Sequence, residues 1–228
     1  MDKLMKGLSR YREGAYPKHA QLLETLGREG QNPKTLMISC SDSRVVPELI
    51  TQSDPGDLFV IRNAGNIVPP WQRLNGGTTS TIEFAVVGLG VTDIVICGHA
   101  DCGAMKAHFA PEGALDAMPS VKEWISHSTA AHSAVEACCG SADDGEKMDM
   151  LVEENVKLQL THLRSHPCVA AALAKGDLRL HGWVFEIGAG AVRALDGKTD
   201  TFRSMDEVGE DIPVAVTGPQ ARSNQKAA

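Results

Sequence analysis

The chain lacks any apolar run near the roughly 20 residues that a membrane-spanning helix needs. Its opening residues, Met1-Asp2-Lys3-Leu4, lack the long apolar core of a secretory leader. Positive charge is not in surplus. Lys and Arg number 22 against 29 Asp and Glu, a formal net charge of −7, which disfavours unspecific binding to a phosphate backbone. Membrane and nucleic-acid partners are therefore not expected, and a cytoplasmic location is. A disulfide scaffold is missing too. Six cysteines in 228 residues, Cys40, Cys97, Cys102, Cys138, Cys139 and Cys168, do not resemble a small secreted framework and read as reduced thiols. No repeat and no linker divides the chain, so residues 1–228 read as a single domain.

Helix-like and strand-like stretches alternate. Leu4, Leu8 and Tyr11, then His19, Leu22, Leu23 and Leu26, recur at helical spacing. Residues 1–30 therefore read as a helical arm, which Pro17 breaks or restarts. Such an arm is suited to wrapping a partner subunit. Strands are expected over 35–40, 58–62, 91–97 and about 178–187. Helices are expected over 45–51, 78–90, 100–110, 119–133 and 148–165, with a new helix starting near Cys168. Residues 212–228 read as a strand-like piece and a partly flexible polar tail. Val95-Ile96-Cys97-Gly98 shows no polar alternation, as in a strand covered on both faces. The pattern predicts an α/β fold, a mostly parallel central sheet flanked by helices, with an N-terminal helical arm. Ligands of such sheets bind beyond the carboxyl ends of the strands. Cys40 and His99 both stand at such ends.

Two segments carry the chemistry, Cys40-Ser41-Asp42-Ser43-Arg44 and His99-Ala100-Asp101-Cys102. Thiolate and imidazole are zinc ligands. His99 and Cys102 share one strand-to-helix turn, and Cys40 supplies a third donor. Three protein ligands leave a coordination position for water, whose pKa the ion lowers. The implied cofactor is one Zn2+ per subunit. Asp42 is either a fourth ligand or an acceptor beside the ion. Arg44 favours the second role, because a carboxylate paired with a guanidinium stays ionised and oriented. Were Asp42 to turn onto the ion, the open position would close, so the motif contains a switch. A closed structural site in a noncatalytic zinc-stabilised binding protein is the alternative, but it has no use for the Asp42–Arg44 pair.

These residues resemble the β-class carbonic anhydrases. The matching text is Cys40-Ser-Asp-Ser-Arg44, Val60-Ile-Arg-Asn-Ala-Gly-Asn66, Gly76-Gly77, Ile82-Glu-Phe-Ala-Val86 and Cys97-Gly-His-Ala-Asp-Cys-Gly-Ala-Met105. The likeness runs from about residue 3 to 200. Asp57–Val68 and Leu180–Val184 look most like the bacterial branch associated with cyanate metabolism. The resemblance implies zinc-dependent, reversible hydration of CO2 to bicarbonate and a proton. Hydroxide generated at the ion would attack while the Asp42–Arg44 dyad orients it. It implies Cys40, His99 and Cys102 as zinc ligands, with Asp42 a ligand only in a closed state. It implies Gln31 as a donor to substrate oxygen, and Phe59, Ala64, Gly65 and Phe84 around the substrate. Phe84 stands where plant-like members often carry tyrosine. Met37 and Ser39 replace the tryptophan and glycine of the subgroup whose Asp closes onto zinc, so an open site is expected near neutral pH. The family also implies a homodimer or a higher even-numbered homo-oligomer with pockets at subunit boundaries. Hydrolysis of CS2 or COS is the competing reaction on the same scaffold.

Smaller features have plainer readings. Cys97 reads as a packed strand residue, and Cys138-Cys139 as free thiols near a helix end. Gly76-Gly77 reads as either a turn or a point of close backbone approach. His108 is a candidate proton carrier or an exposed helical residue. Trp71, Trp124 and Trp183 are expected as core or interface anchors.

Overall fold

A computed structural model describes residues 1–72, 76–208 and 214–218. Four apolar segments form the parallel part of one sheet: β1 (Thr35–Cys40), β2 (Leu58–Asn63), β3 (Asp93–His99) and β4 (Arg179–Glu186). Two antiparallel strands, β5 (Ala191–Asp196) and β6 (Thr201–Ser204), complete the order β2-β1-β3-β4-β5-β6. Neither is foreseen from the hydrophobic pattern. Ala191-Val-Arg-Ala-Leu-Asp196 and Thr201-Phe-Arg-Ser204 are short, half-polar strands, and only the second is a sheet edge. The β4–β5 hairpin turns at Gly188-Ala189-Gly190, where Gly190 has φ +66.

Alternation along the strands sorts the core into two layers. Leu36, Ile38, Ile94, Ile96, Leu180 and Val184 face one side. Against them lies the long helix Asp144–Ser165, through Leu151, Val152, Val156 and Leu160. Val156 fits a notch in the sheet. A Cβ on Gly98 or on Gly182 would stand 2.8 Å from one of its methyls. Those two glycines lie on adjacent strands, β3 and β4. The opposite face, with Met37, Val95, Cys97 and Phe185, carries much less. A cavity of about 1080 Å³ opens there, lined by Thr35, Asp93, His181 and Trp183 among others.

The N-terminal arm forms α1 (Asp2–Arg10) and α2 (Tyr16–Glu29), joined by a π-helical turn over Tyr11–Ala15. Pro17 falls just after the π-helical turn, and the backbone stays helical across it, so it neither breaks nor restarts the helix as expected; the wider turn absorbs its missing N–H. Neither α1 nor α2 buries a residue, and Leu4, Met5 and Leu8 are more than half exposed.

Other elements shift from their expected bounds for identifiable reasons. The helix after β1 is α3 (Pro47–Thr51). The next, α4 (Gly77–Glu83), widens into a π-helical stretch over Phe84–Leu89. Expected helix 100–110 contracts to α5 (Gly103–Lys106) and a 3-10 turn, because Ala100–Cys102 is a tight turn with Asp101 at φ +61. Expected helix 119–133 divides into α6 (Pro119–Ile125) and α7 (Thr129–Cys139). Between them, Ser126 and Ser128 hydroxyls donate to the carbonyls of Glu123 and Ile125. The long helix, α8, starts earlier than expected, at Asp144, because the Asp143 side chain accepts from Glu146 N–H. It is followed by α9 (Pro167–Lys175) and, after β6, α10 (Met205–Val208). Of the expected tail, Val216 pairs with Leu180 of β4. Residues 212–213 and 219–228 lie outside the described residues.

Candidate metal centre

β1 and β3 are parallel neighbours, so the end of each delivers its donor to the same place. Cys40, His99 and Cys102 are all buried, and their donor atoms lie within 4.8 Å of one another. The His99 ring is oriented by a 2.8 Å contact of Nδ1 with the Ala100 carbonyl. That contact places the proton on Nδ1 and leaves a lone pair on Nε2. His99 Nε2 is buried and has no hydrogen-bond partner. An orphaned ring nitrogen beside two thiols is costly unless something accepts its lone pair. A soft divalent cation satisfies all three donors, so the residues fit zinc.

The thiols are primed for this. A hydrogen bond from Cys102 brings the Cys40 pKa down to about 4, against the opposing effect of burial. His99 and the Gly65 and Asp42 backbone add to the lowering. The same hydrogen bond, with burial, pushes Cys102 up. One proton of the pair leaves readily and the other is shared. Burial would lower the His99 pKa, but the Cys40 thiolate beside it produces a net rise. Cys97, by contrast, is fully buried and pushed to about 12 by desolvation, as expected of a packed strand residue.

Asp42 and Arg44 form a two-pronged pair. Arg44 Nε donates to Oδ1 at 3.0 Å and Nη2 to Oδ2 at 2.7 Å, while Arg44 N–H donates to Oδ1 at 2.9 Å. These bonds hold the Asp42 carboxyl well below the usual carboxylate range. Asp42 Oδ2 lies 4.0 Å from His99 Nε2. Arg62 fixes the backbone behind it, donating to the carbonyls of Cys40 and Asp42 at 3.1 and 2.7 Å.

The sequence reading missed Asp101. Its carboxylate accepts from Arg44 Nη1 at 3.0 Å and pairs with Lys106, and its carbonyl accepts from Arg44 Nη2 at 3.2 Å. Arg44 thus joins the two segments that carry the candidate metal donors. The signal was present as an acidic residue between two ligands.

Of the expected substrate residues, Gly65 reaches the centre. Its N–H donates to Cys40 Sγ at 3.3 Å. At φ +77, a Cβ there would stand 2.9 Å from Ala104 Cβ, so only glycine fits. Ala64 is adjacent, its carbonyl held by Trp124 Nε1 at 2.9 Å. Gln31 is exposed and precedes β1, whereas Cys40 ends it. The strand alone separates them by roughly 16 Å. Phe59 lies near the start of β2 and contacts Phe84, ring centroids 5.9 Å apart. Phe84 is itself 52% exposed. Within one chain, Gln31, Phe59 and Phe84 are not gathered at the metal donors.

Gly76 and Gly77 make no close approach, since added Cβ atoms would meet nothing within 4 Å. They begin α4. His108 is half-buried, bonded to Ser128 Oγ at 2.8 Å and stacked on His132, so the exposed reading fails. Burial, then His132, lowers its pKa. Trp71 is exposed rather than in the core, because the chain there runs over the surface. Cys138 and Cys139 lie at the end of α7 as free thiols.

The parallel sheet and its strand-end Cys-His-Cys cluster define an α/β protein with a three-donor metal centre. A family model described as Carbonic anhydrase matches residues 35–192. A carbonic anhydrase of Pseudomonas aeruginosa is 50% identical over 207 residues, covering 91% of this chain and 93% of the relative. Carbonic anhydrase 1 of Escherichia coli O157:H7 is 47% identical over 202 residues, 89% and 91% of the two chains. The solved structure of the β-carbonic anhydrase CcaA superposes with TM-score 0.86 at 40% identity, covering 97% of this chain and 93% of that one. One of two tetrameric β-carbonic anhydrases of Sordaria macrospora gives 0.71 at 30% identity, covering 86% and 98%. The chain belongs to the carbonic anhydrase family, in its β class.

Proposed function

We propose that the chain catalyses the reversible hydration of CO2 to bicarbonate and a proton at this centre. The observation that carries the reading is the orphaned His99 Nε2 between two thiols, with Asp42 fixed beside it by Arg44. Cys40, His99 and Cys102 would hold zinc, which supplies a Lewis acid that brings the pKa of a water towards neutrality; carbonic anhydrases are the usual example of that effect. Asp42, ionised and gripped by Arg44, accepts a hydrogen bond from the attacking oxygen at Oδ2. That contact turns the oxygen's lone pair towards the carbon of CO2. Because Arg44 holds both carboxylate oxygens, Asp42 stays off the metal and the site stays open. Ala64 and Gly65 border the reacting atoms.

Gln31, Phe59 and Phe84 complete the pocket from a second copy of the chain. Two observations support an even-numbered homo-oligomer. No residue of α1 or α2 is fully buried within its own chain, and among the described residues β2 is an unpaired sheet edge. A two-fold pairing sets the start of one β2 against the end of the other, which brings Phe59 towards the opposing Cys40. The six free cysteines suit a reducing cytoplasm. No helix among the described residues is long and apolar enough to cross a membrane. We read residues 1–228 as a single domain. The text of Asp57–Val68 and Leu180–Val184 supports a role beside cyanate breakdown.

Stopped-flow CO2 hydration tests the reaction. The zinc-loaded chain is expected to hydrate CO2 well above buffer. Asp42→Asn should lose roughly 10- to 100-fold, as for other partners that orient a metal site, and Cys40→Ser should lose zinc. A zinc-loaded chain no faster than buffer would sink the proposal.

A further inference from the structure

We infer that Asn155 and Gln159 of α8 are positioning residues for the metal centre, holding the loop 64–69 so that Gly65 N–H points at Cys40 Sγ. The inference rests on the zinc reading above.

Asn155 and Gln159 are buried side by side in an otherwise apolar helix face. Gln159 Nε2 donates to Asn155 Oδ1 at 2.8 Å, and Asn155 Nδ2 donates to the Gly65 carbonyl at 3.1 Å. Gln159 Oε1 accepts from Val68 N–H at 2.9 Å. The stripe continues along the helix. His162 Nδ1 lies 2.8 Å from the Val68 carbonyl, and His166 Nε2, at the end of α8, lies 3.0 Å from that of Pro69. Residues 155, 159, 162 and 166 follow helical spacing, so one face grips the carbonyls of Gly65, Val68 and Pro69 and the N–H of Val68 in one loop. From the other side Trp124 holds the Ala64 carbonyl. The Asn63 side chain bonds both N–H and C=O of Ile67, at 2.8 and 2.9 Å.

A leucine at 155 would be the simpler choice for a core. Buried amides cost free energy unless fully bonded. Here they are bonded to a loop whose Gly65 N–H donates to Cys40 Sγ, at 3.3 Å. An N–H aimed at a ligand sulfur draws off charge and fixes the sulfur's direction. Outer partners of this kind typically change metal affinity 10- to 100-fold.

Asn155→Asp keeps the shape and the acceptor for Gln159 but removes the donor to Gly65. The readouts are the thiolate-to-cobalt charge-transfer band of the cobalt(II)-substituted full chain and the rate of zinc loss to a chelator. The band should move to longer wavelength, and zinc should leave roughly 10- to 100-fold faster. Should the buried carboxylate prevent folding, Asn155→Leu with Gln159→Met replaces the amide pair by apolar volume, and the same changes are expected. A folded variant with an unmoved band and unchanged zinc loss overturns the inference while leaving the zinc reading intact. A wild-type chain that takes up neither cobalt nor zinc overturns the zinc reading, and the inference with it.

Discussion

Single residues decide whether the centre can form. Gly65→Ala places a methyl against Ala104 in a left-handed backbone. It should cost about 1–3 kcal/mol in urea unfolding and weaken zinc retention. Asp101→Asn removes charge from one arm of the Arg44 fork while Asp42 keeps the other. Hydration should fall in this variant, by less than in Asp42→Asn. A loss equal to that of Asp42→Asn would mean that Arg44 depends on both carboxylates alike. The cluster of Cys40, His99 and Cys102 was legible in the sequence because thiol and imidazole are metal-binding types, Cys40 and His99 end strands, and Cys102 follows in the next turn. Asp101 was not, since a carboxylate between two ligands reads as a spacer. Asn155 and Gln159 were illegible for another reason: polar residues on a long amphipathic helix read as its wet face.

Elements are held by contacts that pattern alone does not reveal. The parallel strands follow from unbroken apolar runs, but β5 and β6 do not, because short half-polar strands resemble loops. The notch over Gly98 and Gly182 sets the register of α8 on the sheet. Val156→Ala empties it and should cost about 2 kcal/mol or more, read by denaturant unfolding. At the other end of β3, Asp93 ties the start of that strand to β4. It accepts from Arg179 Nη2 and His181 Nε2, both at 2.8 Å. Burial would raise its pKa, but Arg179, His181 and Thr92 together bring it below the usual range. A depressed carboxylate adds stability above its unfolded pKa of about 3.9 and loses it as pH falls through the folded value. Asp93→Asn should therefore be less stable than wild type above about pH 5, and the gap should close below about pH 4. A gap that widened in acid would contradict the assignment.

At the scale of the whole molecule, the chain leaves apolar surface without cover. The arm exposes Leu4, Met5, Leu8, Tyr11 and Tyr16, and Phe84 and Val87 stand out beside the sheet edge. A second copy would cover such surface. Deleting residues 1–29 should reduce the mass seen by sedimentation from a dimer or larger to a smaller species. CO2 hydration should fall with it although every zinc donor remains. An unchanged mass would remove the arm from the interface. The sequence marked the arm as helical but could not say that α1 stays exposed while α2 is half-buried through Leu22, Leu23 and Leu26, since burial is a property of the folded surface.

The loop beside the metal centre is gripped by α8 and Trp124 through bonds that contain no metal atom. Its shape is thus held by protein groups that lie outside the three donors. On this reading the socket precedes its occupant. A chain stripped of metal by a chelator is then expected to keep its amide-exchange protection over residues 64–69.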